Sequence, residues 1–81
     1  MTNSKTYDIY NVIGKNIKKY RKLQGMTQRE LAESLLLSDS FIAKLESVTP
    51  QTLSIDTLEL IAKKLKAPIT SFFDESVMKE K

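Results

Sequence analysis

The chain has 81 residues, 41% of them hydrophobic and 28% charged, with a formal net charge of +3. That length supports one small domain, which buries roughly 60% of the surface its unfolded chain exposes. Cysteine and histidine are both absent, which excludes a disulfide framework, Cys/His zinc sites and any catalysis built on either residue. Two glycines and two prolines, with no Gly-x-Gly or Gly-Lys-Ser/Thr cluster, leave no Gly-rich phosphate cradle. No apolar run approaches the ~18 residues of a membrane span, and the N-terminus lacks the apolar stretch of a signal peptide. The expected location is therefore cytoplasmic, with no cofactor and no metal.

The charge is uneven. Lys15, Lys18, Lys19, Arg21, Lys22 and Arg29 form a run without an acid. Glu30, Glu33, Asp39, Glu46, Asp56 and Glu59 follow, against the single Lys44. A polyanion such as DNA suits the positive end, and a solvated helix face explains it equally well.

The periodicity reads as helices throughout, with a loose arm over residues 1–8. A first helix runs from Asp8 or Asn11 to Gln24, with Ile9, Ile13, Ile17 and Tyr20 on its apolar face. Lys15, Lys18, Lys19 and Lys22 lie opposite, and Arg21 sits at the edge of the apolar face. Gly25 follows the last turn, where a left-handed cap is wanted. Thr27 and Glu30 make a capping box for a second helix, whose inner face is Leu31, Ala32 and Leu35. Ser38 caps a third helix to about Ser47. Its inward residues are Phe41, Ile42 and Leu45, and Asp39, Ser40, Ala43, Lys44 and Ser47 face outward. After a loop containing Pro50, Ser54 caps a fourth helix with Leu58, Ile61, Ala62 and Leu65 inside. Pro68 opens a short fifth helix, Ile69 to Phe73, which closes the core with Phe72 and Phe73. Residues 75–81 read as a tail.

The stretch from Gln28 to Glu46 resembles the helix-turn-helix of the phage repressor/Cro family, also called the Xre family. Ala32 stands where that pattern wants a small residue. Leu31, Leu35, Ile42 and Leu45 stand where it wants apolar ones. Met26-Thr27-Gln28, Leu58-x-x-Ile61-Ala62-x-x-Leu65 and Ser71-Phe72-Phe73 resemble its flanking segments. The resemblance implies an all-α, compact five-helix fold over residues 9–74, like that of lambda repressor. It implies a sequence-specific transcriptional regulator, a repressor in its commonest form, which binds double-stranded DNA as a homodimer on a pseudo-palindromic operator. An alternative from another class is the antitoxin of a toxin–antitoxin pair, with a toxin or an anti-repressor as protein partner.

The implied roles can be placed on this sequence. Gln28 would hydrogen-bond a phosphate at the start of the second helix. Ser38, Asp39, Ser40, Ala43 and Lys44 would face DNA from the recognition helix, with Asp39 equally explained as a helix-start residue favoured by the dipole. Thr49, Gln51 and Thr52 would offer donors to phosphates. Arg21 and Glu46 would form an ion pair that sets the angle of the recognition helix. Phe41 is expected in the core. Phe72, Phe73 and Val77 are the candidates for dimer contacts, and Leu23 and Leu60 are either interface or scattered surface leucines. The turn glycine of the family is replaced by Leu36. Either that position keeps a positive φ at a cost of roughly 1–2 kcal/mol, or the turn is reshaped.

Overall fold

The computed structural model describes residues 7–48 and 51–79. Four α-helices follow one another: α1 (Ile9–Leu23), α2 (Gln28–Ser34), α3 (Asp39–Leu45) and α4 (Ile55–Lys64). Two 3₁₀ helices, Ile69–Phe73 and Glu75–Lys79, complete the order. The first of these stands where the fifth helix was expected, and no strand occurs among the described residues.

Each α-helix starts where a short polar side chain can take an orphan backbone N–H. Asp8 accepts from the Tyr10 amide, Ser38 from Phe41 and Ser54 from Thr57. At α2 the capping box is complete: Thr27 Oγ1 accepts the Glu30 amide at 3.0 Å, and Glu30 Oε1 accepts the Thr27 amide at 2.8 Å.

Three of the four helices end in the same Schellman closure. The Met26, Leu37 and Ala67 amides reach back to the carbonyls of Arg21, Ala32 and Ala62. Such a closure requires a left-handed residue one position earlier. Gly25 supplies it after α1 with φ 71°, but Leu36 (φ 59°) and Lys66 (φ 62°) supply it after α2 and α4. The turn at Leu36 is therefore kept rather than reshaped. The Leu36 side chain is 94% exposed, so its packing offsets none of the backbone strain. Leu36→Gly is expected to stabilise the domain by about 1 kcal/mol, raising the melting temperature by roughly 4–8 °C. A thermal unfolding curve checks this, and an unchanged or lower midpoint would show the leucine to be relaxed.

The core gathers Ile13 and Ile17 of α1, Leu31 and Ala32 of α2, Ile42 and Leu45 of α3, and Leu58, Ile61, Ala62 and Leu65 around α4, with Phe72. Phe41 packs against it half-buried, as expected. The apolar face of α1 differs from the expected one by a small rotation. Ile9, at the first turn, is 43% exposed, whereas Val12 and Asn16 are buried. Asn16 Nδ2 donates to the carbonyls of Val12, Phe72 and Asp74 at 3.0–3.1 Å. One buried amide thus ties the C-terminal end of the first 3₁₀ helix to α1, and the Tyr20 and Phe72 rings meet with centroids 5.3 Å apart.

This tie corrects the expected tail. Residues 75–79 form a 3₁₀ helix packed on α1, with Val77 6% exposed. Its start is fixed by Asp74, which accepts the Ser76 amide at 2.9 Å. That backbone hydrogen bond, with the Ser76 hydroxyl, holds the Asp74 carboxyl below the usual carboxylate range. Two of the three expected dimer contacts are corrected by the same packing. Phe72 and Val77 are buried within their own protomer and have no surface to offer. Phe73, 38% exposed, turns away from the core it was expected to close.

Candidate nucleic-acid interface

The outward side of α3 is polar because its apolar residues, spaced to one stripe, are spent on the core. Asp39, Ser40, Ala43 and Lys44 are exposed. Helix α3 is only 7 residues long, about two turns. Ser38 is exposed just before it, but its hydroxyl is occupied. It accepts the Phe41 amide at 3.0 Å and lies 3.3 Å from Ser40 Oγ. An open depression runs along α3, walled on one side by Asp39, Ser40 and Ala43. The N-terminus of α2, with Gln28 and Arg29, forms the facing wall, and Lys22 of α1 closes the end. In the sequence Lys22 stands out only as part of a lysine stripe and Arg29 only as one charge of the basic run. The absence of acids from that run was the one sequence signal for them.

Behind the depression sits a connected polar cluster. Arg21 Nε donates to Glu46 Oε2 at 2.8 Å and Arg21 Nη2 to Glu46 Oε1 at 2.9 Å, a two-pronged ion pair. Its side chains are 8% and 3% exposed. Arg21 Nη1 donates to the Met26 carbonyl at 2.7 Å, and Gln28 Nε2 donates to Glu46 Oε1 at 3.0 Å. The Glu46 carboxylate at the end of α3 therefore gathers α1 through Arg21 and the start of α2 through Gln28, and Arg21 ties in the α1–α2 turn through the Met26 carbonyl. The planar guanidinium makes this possible, because its fork matches a carboxylate and still has a donor left. Among the described residues no buried side-chain nitrogen or oxygen lacks a partner. Gln28 keeps one amide N–H for an outside acceptor, since a primary amide has two.

The approach of α1 to α3 depends on Gly14, which is buried at the end of α3. A Cβ at this position would run into the Leu45 carbonyl oxygen and lie 3.0 Å from the carbonyl carbon. Sequence reasoning missed this glycine. A lone glycine inside a helical pattern was its only trace.

The loop before α4 contributes Gln51 and Thr52, both exposed. Thr49 lies outside the described residues. Ser54 spends its hydroxyl on the cap, accepting the Thr57 amide and donating to Thr57 Oγ1. Leu23 and Leu60 are 69% and 53% exposed. Among the described residues no cluster of acids could hold a metal ion, and no helix is long and apolar enough to cross a membrane.

A helix-turn-helix family model matches residues 17–72, the segment that holds α2, α3 and the Arg21, Gln28 and Glu46 cluster. The chain belongs to that family, the phage repressor/Cro type. Solved structures agree with the match. The master regulator for biofilm formation SinR, crystallised in complex with DNA, is 32% identical with a TM-score of 0.71. The alignment covers 76% of this chain and 98% of the crystallised SinR chain. The wild-type restriction-modification controller protein C.Esp1396I is 34% identical with a TM-score of 0.72, covering 91% of this chain and 92% of that one. The same controller as a tetramer on its natural 35 base-pair operator gives 34% identity and a TM-score of 0.70, covering 91% and 95%. No curated protein matches the sequence.

Proposed function

We propose that this protein is a sequence-specific DNA-binding transcriptional regulator that acts as a homodimer on a pseudo-palindromic operator. The observation that carries this reading is the depression between α2 and α3. A polar, short-sided helix face lies beside a helix N-terminus, and one buried carboxylate fixes both. In the major groove, Ser40 and Lys44 reach base edges and Ala43 meets a thymine methyl. Asp39 can accept only from the cytosine amino group. The free Gln28 N–H and the N-terminus of α2 hold a phosphate, where the dipole favours an anion. Gln51 and Thr52 offer further donors from the other end of α3. Both solved relatives described above carry DNA in their crystals, which supports a duplex as the partner.

A two-turn helix reads only a few base pairs, too few to choose one site in a genome. Two-fold symmetry doubles the site. With Phe72 and Val77 committed to the protomer, Phe73 remains of the expected pairing residues. Selection of duplexes from a random library with the full chain tests the proposal. The expected product is a palindrome with half-sites about 10–10.5 base pairs apart. Inserting five base pairs between them should nearly abolish binding. A single half-site indifferent to spacing would refute the homodimer, and no enriched sequence would refute specific recognition.

A further inference from the structure

We infer that the exposed face of α1 is a phosphate track, on which Lys15, Lys18 and Lys22 hold the DNA backbone alongside the segment that α3 reads. The inference rests on the DNA-binding reading above. Positions 15, 18 and 22 are three and four residues apart and so share one helix face. All three are exposed, and none makes an ion pair among the described residues. This face meets α3 at both of its ends. Lys22 walls the depression that holds Gln28, Ser40 and Ala43. Lys15 walls a second, smaller depression with Ser47 and Val48, just past the end of α3. Lys18 lies one turn beyond Gly14, the residue over which α3 ends. The helix face that carries the three lysines thus runs beside the reading helix rather than across the molecule from it.

The charge on α1 supports the same conclusion. From Ile9 to Leu23 the helix contains no Asp or Glu. An ordinary solvated helix face mixes signs, because opposite charges three or four apart stabilise it and like charges destabilise it by roughly 0.2–0.5 kcal/mol per pair. Here Lys18 and Lys22 are such a like pair; Glu46, which shares the smaller depression with Lys15, is already committed to Arg21, and Asp39, which shares the larger one with Lys22, forms no ion pair among the described residues. A row of phosphates relieves that repulsion. The span also fits. Seven residues of helix cover about 10 Å, the axial length of about three phosphates of one strand.

The test uses the full chain on a duplex recovered by selection. The variant Lys15→Gln/Lys18→Gln/Lys22→Gln is compared with wild type and with Lys63→Gln/Lys64→Gln/Lys66→Gln. The second triple removes the same charge from the end of α4, where all three lysines are exposed and wall neither depression. Melting curves establish that each variant is folded. Three lost contacts should reduce the slope of log affinity against log salt by about 2.7 per protomer, with equal loss on selected and scrambled duplexes. Phosphate ethylation should show about three positions of one strand per half-site that matter to wild type and to the α4 variant, but not to the α1 variant. Identical ethylation patterns in all three proteins would overturn the track, as would equal slope losses from both triples, which would mean that only net charge counts. If wild type selects no duplex, the failure belongs to the DNA-binding reading instead.

Discussion

Gly14→Ala is expected to destabilise the protein by about 2–3 kcal/mol and to lower DNA affinity at least tenfold. The sign is the informative part. In an ordinary helix interior, replacing glycine by alanine gains roughly 1 kcal/mol. Here the added methyl group meets backbone, the Leu45 carbonyl, at the last turn of α3. A side chain could rotate away, but a carbonyl in a helix end cannot. Either α1 and α3 separate or the end of α3 shifts, and overpacking of this kind costs typically 1–3 kcal/mol on its own. The shift would also be felt two turns further along α1, where Arg21 holds Glu46 in a geometry that tolerates little error. At ~0.05–0.15 kcal/mol per residue the whole domain has only about 4–12 kcal/mol of stability. The melting temperature should therefore fall by on the order of 10 °C. A variant as stable as wild type would mean that the two helices do not meet so closely.

The parts of the fold that local chemistry dictates were legible in the sequence, and the parts set by distant partners were not. Thr27 with Glu30, Ser38 and Ser54 mark helix starts within four residues of themselves, and each cap forms. The order of α1 to α4 and the outward face of α3 follow from spacing in the same way. Asn16 is the opposite case. It occupies a core position because its amide binds carbonyls 56 and 58 residues away. Read locally, it is a polar residue that belongs outside, and this moved the inferred apolar face toward Ile9. The packed segment at 75–79 follows from the same unseen bonds. In the site, the Arg21–Glu46 pair was expected, but the bond from Gln28 to Glu46 was not, since it needs the crossing of α2 and α3. Gly14 was invisible for the same reason: its importance lies in another helix.

Arg21→Met is expected to cost about 3–5 kcal/mol, the usual penalty for leaving one member of a buried ion pair without its partner. Glu46 would keep only the Gln28 amide, with its side chain 3% exposed. Glu46→Leu should also destabilise, by less, because Arg21 retains the Met26 carbonyl. The double variant Arg21→Met/Glu46→Leu removes both charges and replaces them with apolar side chains. Such replacements are often neutral or stabilising, so its melting temperature should return close to that of wild type. Affinity for DNA should recover less. Gln28 is oriented by Glu46 Oε1, and nothing in the double variant takes that place. Stability and binding therefore separate in this one cycle, whereas a purely structural pair would restore both together. Gln28→Ala supplies the comparison: it should lose affinity with little change in stability, and it should lose little more when added to the double variant. Chemical denaturation and DNA titration of wild type and the five variants measure the two quantities independently. Additive stability effects, with no coupling between positions 21 and 46, would mean that the pair contributes nothing as a pair. Full recovery of DNA binding in the double variant would mean that Gln28 finds its phosphate without Glu46.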